Sequence, residues 1–116
     1  MFRIALIPLA VLTFTISALA ADEWSGRLVD ADCTHKNVGA QACDPGTNTT
    51  AFGLVVAGEA FLFDWRGNQK AAAAIKHRAD SSAASNTSLP SQVTASVTGQ
   101  RAGDSHKILV KSIIID

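Results

Sequence analysis

Six residues with ligand chemistry crowd one short stretch of this chain: Asp30, Asp32, Cys33, His35, Cys43 and Asp44. Thiolate, imidazole and carboxylate together make a donor set for Zn²⁺ or a copper ion, and Cys33, His35, Cys43 and Asp44 are the four such an ion would take. The C-x-H…C-D spacing matches no strong zinc pattern, however, and two cysteines are also the minimum for a disulfide. The compartment decides between these chemistries, because thiols outside the cytoplasm are normally oxidised and lost as ligands.

The N-terminus speaks for export. Met1-Phe2-Arg3 carries one positive charge, Ile4 to Ile16 is almost wholly apolar, and Ser17-Ala18-Leu19-Ala20 ends in small-x-small. That order of residue types is a secretory signal peptide over residues 1–20, with cleavage expected between Ala20 and Ala21. The apolar run is shorter than the roughly 20 residues a spanning helix needs, which weighs against the alternative of an uncleaved N-terminal anchor, and after cleavage no stable membrane anchor is expected. Residues 21–116 then form one secreted or periplasmic domain with a single core. In that setting Cys33 and Cys43 are expected to pair. Closing a loop this short contributes roughly 2.5–3 kcal/mol on the chain-entropy view.

Charge and composition narrow the partners. Ten Lys and Arg balance ten Asp and Glu, and loss of Arg3 leaves a net charge of about −1. Neither nucleic acid nor an anionic membrane is attracted by such a balance. The chain has no Tyr, and Phe52, Phe61 and Phe63 are the only phenylalanines after the leader. Base stacking therefore has little to work with. The three histidines, His35, His77 and His106, accompany no G-x-S-x-G or other nucleophile elbow, so no catalytic residue and no cofactor is expected.

The elements that must position these residues follow from periodicity. Trp24 to Asp32 reads as a first strand, and residues 33–51 as a long loop rich in Asn, Asp, Gly and Thr. Ala51 to Trp65 reads as a hairpin with its turn at Gly58-Glu59. That placement pairs Val56 with Phe61, Leu54 with Phe63 and Phe52 with Trp65, and stacks all six on one face. Asn68 is the expected N-cap of a short helix through about Arg78, with Ala71, Ala72, Ile75 and Ala79 as its packing stripe. Asp80 to Ser88 reads as an exposed connector. Val93, Ala95 and Val97 alternate on a fourth strand, Gly99 to Asp104 makes a turn, and His106 to Asp116 is a final strand. Its Ile113-Ile114-Ile115 is expected to be covered on both faces.

Three strands, a helix and two strands (β-β-β-α-β-β) is the element order of a mainly β, five-stranded OB-like barrel with one short helix. Such barrels bind on strands two and three, between the loops that join strands one to two and four to five. Those loops are residues 33–51 and 99–105 here. Trp65, Arg66, Arg101 and His106 are the ligand-face candidates.

Several stretches resemble a known family. Trp24-x-Gly26-x-Leu28-Val29-Asp30-x-x-Cys33 is similar to the opening of small exported bacterial domains of unknown function with an OB-like barrel. Phe63-Asp64-x-x-Gly67-Asn68-x-Lys70-Ala71 resembles their strand-to-helix turn. Val97-Thr98-Gly99 with Ile108-x-Val110-x-Ser112-Ile113 resembles their last hairpin. The resemblance implies the fold and the compartment and supplies no activity. The residues and the resemblance together suggest a binding or envelope-accessory module for a small ligand, a glycan or an envelope protein. The alternative is a metal-handling domain built on residues 30–44.

Overall fold

The computed structural model describes residues 21–36 and 43–116, with His35 and Lys36 described by backbone alone. The expected signal peptide and the middle of the first long loop lie outside the described residues. Among the described residues, five strands and two helices follow one another as β1 (Asp22–Asp30), α1 (Ala31–Lys36), β2 (Phe52–Val56), β3 (Glu59–Phe63), α2 (Trp65–Ser85), β4 (Val93–Arg101) and β5 (Lys107–Ile115).

The strands close into a barrel in the order β1-β2-β3-β5-β4, with β4 returning to β1. Every pairing is antiparallel except β3 with β5, which is parallel. A parallel pair needs a long crossover, and α2 with β4 supplies it. With a helix between the third and fourth strands, this is the OB-like barrel that the element order predicts.

The parallel seam is short, comprising Leu62 with Lys107 and Phe63 with Ile108. Asp64 extends it by other means. Its backbone N–H donates to the Ile108 carbonyl (3.0 Å), and its carboxylate Oδ1 accepts from the Val110 N–H (3.0 Å). The same oxygen accepts from the Gly67 N–H at 3.0 Å, which makes Asp64 the N-cap of α2. One side chain thus joins the end of β3, the middle of β5 and the start of the helix. Gly67 must be glycine for packing, because a Cβ there would run into the Val110 side chain.

Alternation fills the interior. Leu28, Phe52, Leu54, Phe61, Phe63, Val93, Ala95, Val97, Ile108 and Val110 are buried in one cluster, together with Ala71 and Ile75 of α2. At about 25 cal/mol per Å² of apolar surface removed from water, this cluster is the dominant favourable term for the fold. Asn68 is drawn into the joint by another route, since its Oδ1 accepts from the Phe52 N–H (2.9 Å).

Several local expectations are corrected. The hairpin turns at Ala57-Gly58, where φ is +50° and +82°, and not at Gly58-Glu59. Positive φ at both central residues gives the twist that tight hairpins favour, and glycine takes one of the two at no steric cost. Val56 therefore faces Glu59 and Leu54 faces Phe61, a register two residues from the expected one. A shift of two preserves the face of every side chain, so Phe52, Leu54, Phe61 and Phe63 are buried as expected. Trp65 leaves the core face altogether and opens α2 with 70% of its surface exposed. The helix is also longer than expected at both ends. It starts at Trp65 because Asp64, and not Asn68, caps it. It absorbs most of the expected connector because the serine- and alanine-rich stretch continues helical to Ser85 and ends on Asn86 in the left-handed conformation.

At the other end of the chain order, β1 stops at Asp30, and α1 replaces the beginning of the expected loop. Finally, Ile114 is 66% exposed, so the last strand is covered on one face only.

Candidate functional site

Cys33 lies in α1 and Cys43 in the irregular return toward β2, and the two are joined by a disulfide with a Cα–Cα separation of 5.5 Å. Three polar residues frame that bond. Asp30 caps α1 by accepting from the Cys33 N–H (3.1 Å), and its second oxygen accepts from the Thr49 hydroxyl (2.9 Å). Thr49 in turn accepts from the Gly46 N–H at 2.9 Å. Backbone bonds from Asp30 to Cys43 (2.9 Å) and from Ala31 to Ala51 (2.9 Å) tie the segment to the ends of β1 and β2. Arg27 reaches outward from β1 to Asp44 at 2.6 Å.

This layer has a small core of its own. Val29 and Cys43 are each 1% exposed, and Ala31 and Thr49 are buried with them, all outside the cluster that fills the barrel. Val29 and Gly53 are neighbours across β1 and β2. The segment therefore lies over part of the outer face that OB-like barrels use for ligands.

Of the four candidate metal ligands, Cys33 and Cys43 are joined to each other and Asp44 is turned to Arg27. The side chain of His35 lies outside the described residues. Asp30 is spent on capping, a role readable from an acidic residue placed three before Cys33 at a strand end. Among the described residues, no three metal-binding side chains converge.

The four ligand-face candidates fall into two groups. His106 and Arg101 meet at Phe61, near the start of β3 and away from α2, which follows its end. The His106 ring stacks on Phe61 with centroids 5.3 Å apart, and its Nε2 lies 3.7 Å from a Glu59 carboxylate oxygen. The Arg101 guanidinium sits 5.5 Å from the Phe61 centroid while its Nε donates to the Ser105 carbonyl (2.8 Å). Cation and imidazole thus roof the Phe61 ring of the core. Beside them a cleft of about 250 Å³ opens between α1 and the β4–β5 turn, lined by Ala31, Thr34, Ala60, Leu62 and His106. Leu62 contributes an exposed apolar wall. Thr34 donates its hydroxyl to the Asp30 carbonyl (2.6 Å), leaving its oxygen to accept from a ligand. Thr34 and Leu62 were not singled out by sequence reasoning, since neither residue type carries a signal of its own.

Trp65 and Arg66 stand elsewhere, in the first turn of α2. Both line a depression of about 430 Å³ with Gln69, Lys70 and Ala73. Arg66 also borders a second hollow between α2 and the β4–β5 sheet. No protein family, curated protein or solved structure matches this chain, so what is shown of its kinship is a small, closed, five-stranded barrel.

Proposed function

We propose that the chain is an extracytoplasmic, non-catalytic binding or envelope-accessory module of the small exported bacterial kind, and that its ligand site is the His106 cleft. The observation that carries this reading is the position of the cleft. It lies on β3 between the disulfide-closed segment and the β4–β5 turn, the two loops that flank ligands in OB-like barrels. Pockets for whole small molecules span roughly 300–1,000 Å³. A cleft of about 250 Å³ suits a single ring or one side chain, such as one sugar unit of a glycan or an anchor residue of an envelope protein. The disulfide supports the compartment, because an oxidising environment keeps such bonds.

The test is a titration of the isotope-labelled exported protein with a library of monosaccharides and single-ring fragments. Binding to this cleft moves the amide resonances of Ala60, Leu62 and His106 and is lost in Leu62→Ser. Thiol titration of the same material should find no free thiol. Two free thiols and a bound metal ion would replace this reading with the metal-handling one.

A further inference from the structure

We infer that a second site, on the outer wall between α2 and the β4–β5 sheet, binds a doubly charged oxyanion such as the phosphate of a phosphomonoester. This goes beyond the cleft reading and shares no residue with it. The hollow measures about 470 Å³ and is lined by Ala21, Asp64, Arg66, Gly99, Gln100, Leu109, Val110 and Lys111.

Two cations line the hollow from different elements, Arg66 from the first turn of α2 and Lys111 from β5. Neither makes a hydrogen bond or an ion pair among the described residues. Both therefore retain their full donor sets, and an arginine fork beside a lysine point charge suits a phosphate oxygen cluster. Gln100 brings a neutral amide to the same wall, and Leu109 adds apolar surface for the organic part of a ligand.

The one acid in the lining does not cancel the field. Asp64 has Oδ1 committed to two backbone N–H groups, from Gly67 and Val110, and its charge offsets the N-terminal end of α2. Ala21 adds a third element. Cleavage after Ala20, as the sequence predicts, would leave the new α-amino group at the edge of the hollow. Within the lining, Arg66 and Lys111 against Asp64 leave a net charge of about +1, which the new amino group would raise to about +2, favouring a multiply charged anion over a carboxylate.

The deciding experiment titrates the exported, isotope-labelled protein with inorganic phosphate at low ionic strength, and in parallel with acetate. The expected result is saturable movement of the Gly99, Gln100, Leu109, Val110 and Lys111 amides by phosphate. Half-saturation should move about tenfold upward in either Arg66→Gln or Lys111→Gln, and the affinity should fall as salt is added. Both substitutions are on exposed side chains, and retained dispersion of the core resonances verifies that the variants fold. Shifts that do not saturate, equal response to acetate and phosphate, or unchanged binding in the double variant would each overturn the proposal. Because the Ala60, Leu62 and His106 resonances report the other cleft, failure of one site is distinguishable from failure of the other.

Discussion

The inside of the barrel and the layer over its outer face are both buried, yet different forces hold them. Inside, a dozen apolar side chains from all five strands and α2 pack in one cluster. Outside, among the described residues, Val29, Ala31, Cys43 and Thr49 are too few to hold a segment by apolar burial. There the disulfide, the Asp30 cap and the Thr49 hydroxyl take over. The lesson is that the barrel should stand without the layer, whereas the layer cannot stand without the barrel.

The largest effect that probes this contrast is expected at Leu54. Leu54→Asp places an unpaired charge at a fully buried site and should cost more than about 4 kcal/mol, enough to unfold most of the population of a small domain. Val55→Asp, one residue along and only partly buried, should cost clearly less in the same urea titration. Equal losses would show that the two faces of the hairpin do not differ as described.

Next comes the covalent tie. Cys33→Ser should lower stability by roughly 2.5–3 kcal/mol on the chain-entropy view. Amide exchange is the sharper readout: Asp30, Ala31 and Thr49 should lose protection while Leu54 and Phe61 keep theirs. Loss of protection throughout the barrel would mean that the outer layer is part of one cooperative core.

Asp64→Ala removes one acceptor from two backbone donors and should cost about 2 kcal/mol. The loss should appear in the protection of the Val110 amide as well as in the first turn of α2. Asp64→Asn keeps an acceptor oxygen and should recover part of it. The smallest expected change is Thr49→Val, about 1 kcal/mol, confined to the outer layer because both hydroxyl partners lie there. An effect of that substitution on the exchange of Leu54 would blur the line between the two regions.

Both regions were only partly legible beforehand. Alternation at Phe52, Leu54, Phe61 and Phe63 exposed the buried face even though the turn was misplaced by one position. Strand periodicity is two, and the resulting register error was also two. Helix ends were harder. Asp64 and Asn68 are both plausible caps four residues apart, and only the Val110 N–H, 46 residues along the chain, makes Asp64 the better placed of the two. The candidate residues show the same limit: Trp65, Arg66, Arg101 and His106 are all exposed, but sequence distance said nothing about which of them share a surface.

What the sequence determined by itself is whatever depends on neighbours along the chain. That includes the order of strands and helix, the apolar face of the hairpin, and a pair of cysteines close enough in sequence to bridge. What only the tertiary structure decided is whatever depends on closure. The β3–β5 seam, the roofing of Phe61 by His106 and Arg101, and the placing of Arg66 and Lys111 on one hollow all join distant segments. A barrel brings such segments together because each strand must find partners for its backbone on both edges, and no local pattern of residues encodes where the last edge will meet the first.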